Sequence, residues 1–339
     1  MEESGIEQIL VSVILPVYNA EHFVQEAIQS ILDQSYTRIE LIVVNDGSND
    51  SSENIIRAFQ DPRLVYFKNE YNIGLIASLN KALQLARGEL IARMDADDIA
   101  MKNRFEVQVN MFRSDPELLL AGSSYFILRG RQKRKLQAHE NNDYLKANLL
   151  FSTSFCHPSI MMRRPKGSDL VYESAFKHAE DYRLWTRLVP YGKFSNAKEA
   201  LLVYRDNPGQ WSNRFRQEQF EISARIRREY AQTLGFSFSE AQFSTLNHLG
   251  NNTRMREWRQ LQEAEALLQE IVKQNHNLKV FGNLGFRDLI QKQWLDACGN
   301  TTLGLKAFRA CLRSDLSKGA NPYQVSKLLL KCLLRKRFD

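Results

Sequence analysis

Short apolar runs alternate with stretches of helical periodicity from the start of the chain to Gly122. Val11 to Leu15 is an apolar run, expected to form a buried strand that Pro16 ends. From Glu21 to Gln34, Phe23, Ala27, Ile28 and Ile31 fall on one helical face. Glu40 to Val44 reads as a second buried strand, broken by Asn45-Asp46-Gly47-Ser48, and Ser51 to Phe59 reads as a helix. Leu64 to Phe67 is a third strand, Gly74 to Ala86 a helix, and Glu89 to Ala92 a fourth strand. A helix from Asn103 to Arg113 and a strand from Leu118 to Gly122 follow. Alternation of this kind predicts an α/β fold with a mostly parallel, Rossmann-like sheet, right-handed crossovers and flanking helices.

Ser123 to Arg205 is less regular. The basic stretch Arg129 to Lys135 reads as an exposed hairpin or loop. Glu180 to Val189 reads as a helix that Pro190 ends, and Glu199 to Tyr204 as a last strand. After Pro208-Gly209 the composition turns charged and helical, which sets a boundary near Gln210 to Asn213. The expected organisation is an α/β domain over residues 1–209 and a helical C-terminal domain over residues 210–339. In the last helix, Tyr323 to Lys336, the apolar Val325, Leu328, Leu329, Cys332 and Leu333 lie opposite Lys327, Lys331, Arg335 and Arg337. A packed helix with a solvated face has this pattern. So does a basic amphipathic element on an anionic membrane surface.

Composition narrows the classes. Hydrophobic residues make up 43% of 339, enough for real cores, and the formal net charge is +7. That charge suits a nucleic acid, an anionic membrane surface or a phosphorylated substrate alike. The basic residues are dispersed and form no recognition motif, so nucleic acid is not the expected partner. No apolar run approaches the roughly 18 residues of a membrane span. Met1 to Gln8 is acidic and lacks the apolar core of a signal peptide, so the expected location is cytoplasmic. Cys156, Cys298, Cys311 and Cys332 are scattered, as expected for reduced thiols rather than a disulfide framework or zinc site.

The candidate chemistry lies at strand ends. Asp95, Asp97 and Asp98 follow the fourth strand directly, where ligands bind in a doubly wound sheet. Carboxylates so close repel one another unless a cation neutralises them, and Mn²⁺ or Mg²⁺ is a fitting one. Asp46 ends the second strand and Pro16-Val17-Tyr18-Asn19 ends the first. A pocket between them would offer the Tyr18 ring to a base, Asp46 to a base N–H, and Asp97 to a metal on a diphosphate. Taken alone, Asp46-Gly47-Ser48 reads as an ordinary turn leading into a helix. No Gly-rich phosphate loop follows the first strand, so phosphate binding would rest on the metal.

These residues, in this order, resemble family 2 glycosyltransferases of the GT-A fold. The resemblance runs from Val11 to about Ser212 through Pro16-Val17-Tyr18-Asn19, Asn45-Asp46-Gly47-Ser48, Asn72-Ile73-Gly74-Leu75 with Asn80, Asp95-Ala96-Asp97-Asp98, and Glu180-Asp181 with Trp185. The stretches Asn72 to Asn80 and Ile91 to Ala100 are closest to bacterial lipooligosaccharide β-1,3-N-acetylhexosaminyltransferases.

The resemblance implies an inverting, metal-assisted enzyme that moves GlcNAc or GalNAc from a UDP-sugar to a cell-surface glycan or lipid-linked saccharide. It implies Asp181 as catalytic base and Asp97 as ligand of Mn²⁺ or Mg²⁺. Asp46 would meet the uracil or ribose, and Asp95 the ribose or the donor sugar. Pro16, Tyr18, Asn19, Asn72, Gly74, Asn80 and Glu180 would line the substrate site. His157, in His157-Pro158-Ser159, would lie on the acceptor side or be structural. Trp185 would offer its face to a sugar or pack in the core. The family's Tyr-Arg-x-His pattern appears as Tyr204-Arg205-Asp206-Asn207, so Asn207 or Asp206 would have to replace the histidine. Peripheral contact with the inner face of the cytoplasmic membrane follows from a lipid-linked acceptor. The rival readings are a nucleotide-sugar-binding GT-A module without turnover and a nucleotidyltransferase.

Overall fold

The computed structural model describes residues 9–167, 169–206 and 215–334. Its centre is β1 (Val11–Val17), paired in parallel with β2 (Ile39–Asn45) on one side and β4 (Leu90–Arg93) on the other. β3 (Leu64–Lys68) extends the parallel half beyond β2. Every residue of β1, β2 and β4 is buried, as in a sheet covered on both faces. That covering explains why these strands are continuous apolar runs rather than alternating ones.

The crossover helices α1 (Val24–Leu32), α2 (Ser52–Arg57) and α3 (Leu75–Leu85) connect these strands, and α4 (Arg104–Ser114) follows β4. α1 buries Val24, Ala27, Ile28, Ile31 and Leu32. Each large side chain among them contributes about 1.5–3 kcal/mol by leaving water.

β1 does not end at Pro16 but runs through it to Val17. The reason is hydrogen-bond parity. Ile14 faces β4, accepting Met94 N–H, whereas Val17 faces β2, accepting Asp46 N–H. Pro16 shares the β4 side with Ile14, and the last β1–β4 pair is Ile14 with Arg93. Its missing N–H therefore falls where no partner strand remains.

The irregular middle of the sequence supplies the other half of the sheet. β8 (Met161–Arg163) runs antiparallel to β4, and β6 (Leu118–Arg129) antiparallel to β8. β9 (Lys193–Arg205) runs parallel to β6. β5 (Ile99–Ala100) closes the far edge against Leu202 and Val203 of β9. The basic stretch forms a hairpin, in which β7 (Gln132–Leu136) pairs with the end of β6.

The chain divides into two compact units. The first comprises residues 1–141 and 154–219, the second residues 142–153 and 220–339. The boundary expected near Gln210 lies outside the described residues. The second unit is helical: α5 (Asn142–Asn148), most of α7 (Arg216–Thr233), α8 (Glu240–Gly250), α9 (Trp258–Leu278), α10 (Asn283–Gly299), α11 (Leu305–Arg313) and α12 (Pro322–Leu334). In α12, Leu328 and Cys332 are buried, whereas Tyr323, Leu330 and Leu333 are exposed. Arg335, Lys336 and Arg337 lie outside the described residues.

Candidate active site

Side-chain hydrogen bonds join the loops that leave β1 and β2. Asn19 adopts a left-handed backbone with φ 49°. Its N–H donates to Ser48 Oγ at 3.0 Å and its Oδ1 accepts Asn49 N–H at 2.9 Å. Ala20 N–H reaches Ser52 Oγ at 2.8 Å, Glu21 N–H reaches Asp50 Oδ2 at 3.0 Å, and Ser51 N–H reaches Glu21 Oε2 at 2.9 Å. The two loops thus form one fixed floor. Tyr18 stands out from it, 41% exposed, while Pro16 is buried in β1.

Asp46 is 3% exposed, and both its oxygens are engaged. Oδ1 accepts from Asn69 Nδ2 at 2.8 Å and Ile73 N–H at 2.9 Å, and Oδ2 accepts Gly74 N–H at 2.9 Å. The carboxylate expected to meet a base is here the anchor of the loop that enters α3. Asn72 is exposed on that loop. Gly47, at φ 66°, is crossed so closely that a Cβ would come within 2.6 Å of the Tyr71 carbonyl carbon, so only glycine fits.

Asn80 of α3 points the other way. Its Nδ2 donates to Tyr172 C=O and its Oδ1 accepts Tyr172 N–H, each at 2.8 Å. The Tyr172 hydroxyl lies 2.9 Å from His157 Nε2. Burial and the charge of Arg93 push the His157 imidazole well below its usual range, so the ring is neutral near pH 7.

Arg93 was not singled out by sequence reasoning. It is 2% exposed, at the end of β4, and its guanidinium closes a fork on Asp95: Nη1 to Oδ2 at 2.7 Å and Nη2 to Oδ1 at 2.5 Å. Burial works most strongly against its charge, but Asp95, Tyr172 and Asp98 together outweigh it and hold the guanidinium charged. Arg104, wholly buried beneath, donates Nη2 to the carbonyls of Arg93 and Ile160 at 2.8 and 3.1 Å.

Asp95, Asp97 and Asp98 offer carboxylate oxygens within 4.8 Å of one another. An all-oxygen donor set at that spacing fits a hard divalent ion. The three differ in surroundings. Asp95 carries the Arg93 fork. Asp98 is fully buried: Oδ1 accepts Arg205 N–H at 3.0 Å and Oδ2 has no partner among the described residues. Burial, with Asp95 and Asp97 beside it, pushes the Asp98 carboxyl well up. Asp97 is half-buried, and its backbone carbonyl accepts Arg205 Nη1 at 2.7 Å. Arg205 also pairs with Glu26, tying β9 and α1 to this loop. Asp206, the described candidate for the missing histidine, pairs instead with Arg129 at 2.6 Å. Asn207 lies outside the described residues.

Glu180 and Asp181 open α6 (Glu180–Leu188), where the helix dipole favours carboxylates. Burial raises the Asp181 carboxyl, opposed by Tyr182 N–H at 2.7 Å and by the charge of Arg93. Burial, then the charge of Asp181, pushes Glu180 up to about 7. Trp185 is fully buried, edge-on to His157 and Phe155 at 5.9 Å from each ring. A ring with no exposed surface has no face for a sugar, so Trp185 is a core residue that backs His157.

Of the residues the sequence analysis missed, Arg93 had a signal, a lone cation inside an apolar strand. Tyr172 had none. A cavity of about 160 Å³ lies in the helical unit, lined by His248, Asn252, Lys292, Asp296 and Asn300 among others. None of the residues expected at the site lines it.

Comparison with known proteins follows the same lines. A family model described as Glycosyl transferase family 2 matches residues 12–169. An uncharacterised glycosyltransferase of Haemophilus influenzae is 32% identical over 234 residues, 65% of this chain and 72% of that protein. WfgD of Escherichia coli, described as a UDP-Glc:α-D-GlcNAc-diphosphoundecaprenol β-1,3-glucosyltransferase, is 32% identical over 184 residues, 54% of this chain and 71% of that protein. Among solved structures, S. aureus TarS 1–349 in complex with UDP-GlcNAc superposes with a TM-score of 0.56 at 17% identity, covering 97% of this chain and 92% of that one. At that identity the likeness speaks to the fold alone.

Proposed function

Since this chain belongs to glycosyltransferase family 2 and is a hexosyltransferase of GT-A fold, we propose that it moves GlcNAc or GalNAc from a UDP-sugar to a saccharide hydroxyl, with inversion and Asp181 as base. One observation carries the reading. The acidic loop after β4 and the acidic start of α6 share one electrostatic neighbourhood, since the charges of Arg93 and Asp95 both act on Asp181. A donor group held at the first and an acceptor at the second would meet within it.

Asp181 takes the proton of the acceptor hydroxyl as that oxygen attacks the anomeric carbon, opposite the departing UDP. Tyr18 offers its exposed ring to the uracil, and the Asn19–Ser48 floor meets the nucleoside without needing to be ordered first. A divalent ion held by Asp97 would neutralise charge growing on the leaving diphosphate. His157 and Tyr172 shape the acceptor side as neutral hydrogen-bonding groups. WfgD's UDP-Glc donor supports a UDP-sugar donor, and its lipid diphosphate supports a lipid-linked acceptor.

No helix among the described residues is long and apolar enough to cross a membrane. Contact with a membrane would therefore be peripheral, through the exposed Tyr323, Leu330 and Leu333 and the nearby Lys327 and Lys331. The test of the whole reading is UDP release from a panel of UDP-sugars with saccharide acceptors, with and without Mn²⁺. Release from no UDP-sugar under any of these conditions would overturn it.

A further inference from the structure

Strand β4 is Leu90, Ile91, Ala92 and then Arg93, three apolar side chains followed by a guanidinium at the same depth. The main chain leaves that guanidinium little choice of place. Arg93 N–H donates to Ile160 C=O at 3.1 Å, and Arg93 C=O accepts from Arg104 at 2.8 Å. A buried guanidinium without a counter-ion is strongly unfavourable, so the carboxylate that meets it is held firmly. That carboxylate is Asp95, gripped through both oxygens, while the Arg93 Nε is buried without a partner among the described residues. The bidentate fork is the geometry in which guanidinium and carboxylate bind best.

The consequence concerns the three neighbouring aspartates. A divalent cation approaching Asp95 meets oxygens already committed to a fixed positive charge two residues away in sequence.

We propose that Arg93 is a positioning residue that keeps Asp95 as its own counter-ion and withholds that carboxylate from a divalent cation. The inference rests on the metal-assisted reading above. Arg93 thereby sets how many charges the loop offers a metal. It also leaves Asp95 at a fixed orientation beside the donor. The same buried charge acts on Tyr172, Glu180 and Asp181.

The experiment is Mn²⁺ binding to the full chain without nucleotide, by calorimetry and by the Mn²⁺ resonance signal, with the thermal midpoint of each variant recorded. Arg93→Met releases Asp95 and should bind Mn²⁺ at least about tenfold more tightly than wild type. Adding Asp95→Asn to that variant should abolish the gain. Asp95→Asn alone should leave Mn²⁺ affinity within about twofold of wild type, because Asp95 was not a ligand. A folded Arg93→Met with unchanged or weaker Mn²⁺ affinity overturns the inference. So does an Asp95→Asn variant that alone loses about tenfold. Where Arg93→Met fails to fold, Asp95→Asn decides, with Arg93→Lys showing a smaller gain because one N–H···O bond of the fork is lost. Mn²⁺ binding by wild type in the presence of UDP is read separately. Its failure removes the metal-assisted reading but not a gain seen in Arg93→Met.

Discussion

Asn80 and Tyr172 exchange two hydrogen bonds of 2.8 Å across 92 positions of sequence. The amide of a helix facing the donor loops thus fixes the backbone of a tyrosine whose hydroxyl meets His157. Asn80→Ala would leave a buried N–H and C=O without partners. The expected cost is about 1–3 kcal/mol of stability, with a fall in kcat as Tyr172 loosens. Thermal denaturation and steady-state kinetics on one preparation check it. An unchanged melting midpoint would show that the pair bears no strain.

The acidic loop yields the second prediction. Asp97→Asn should remove most transfer activity while the melting temperature stays near wild type, since Asp97 is half-buried at the rim. Excess EDTA should do the same to wild type, reversibly on adding Mn²⁺. Full turnover in EDTA would end the metal-assisted reading.

For the base, Asp181→Asn should lower kcat by roughly 10²-fold or more. UDP affinity, measured calorimetrically, should hardly move if the acceptor and not the nucleotide meets Asp181. Near wild-type turnover would pass the role to Glu180.

Glu180 itself carries a pH signature. Burial and the charge of Asp181 push it up to about 7 in the folded chain, against about 4.3 unfolded. The folded state therefore binds this proton more tightly. The resulting stability is fully present below about pH 4.3 and lost as pH rises through 7, at up to about 1.4 kcal/mol per unit. Relative to Glu180→Gln, which cannot titrate, wild type should lose melting temperature between about pH 5 and pH 8. Parallel curves for the two proteins would refute the assignment.

Surface chemistry gives the last prediction. Tyr323 and Leu330 are 72% and 56% exposed on a helix that also carries Lys327 and Lys331. Leu330→Glu with Lys327→Glu should reduce co-sedimentation with anionic vesicles at low salt without lowering stability. Each basic residue near such a surface is worth about 1 kcal/mol, screened by salt. Equal sedimentation of wild type and variant would exclude this face as the contact.

Which parts were legible in the sequence follows from burial. β1, β2 and β4 are covered on both faces, so each shows as an unbroken apolar run. β6 and β9 mix buried Ser123, Ser124 and Asn196 with apolar residues, and their pairing shifts register at Ser123–Ser124 and Ser124–Tyr125. No simple period survives that, which is why the middle of the chain looked irregular. β8 has three residues, too few for any pattern. The site divides similarly. Asp95, Asp97, Glu180 and Asp181 stand in short local motifs that can be read without a structure. The Asn80–Tyr172 pair joins a helix to a distant loop, and no local composition announces it. Trp185 was ambiguous because an aromatic one turn along from an acid suits a sugar wall or a core equally, and only its burial separates them.

The helical unit borrows residues 142–153 from within the α/β sequence. There Tyr144, Leu145, Ala147, Leu149, Leu150 and Phe151 are buried, and α5 packs on α10. Arg227 donates to Phe151 C=O at 2.6 Å, and Tyr230 to Lys146 C=O at 3.0 Å. A single cut near residue 210 would not yield two tidy modules. It would strip the cover from six apolar side chains and leave their hollow open on the other fragment. Recombination that exchanges the C-terminal helices for another set meets the same obstacle: the newcomer must accept this twelve-residue insert or arrive with a replacement for it. Exchanging the helical unit is therefore an exchange of two separate stretches of chain, residues 142–153 and 220–339, rather than of one.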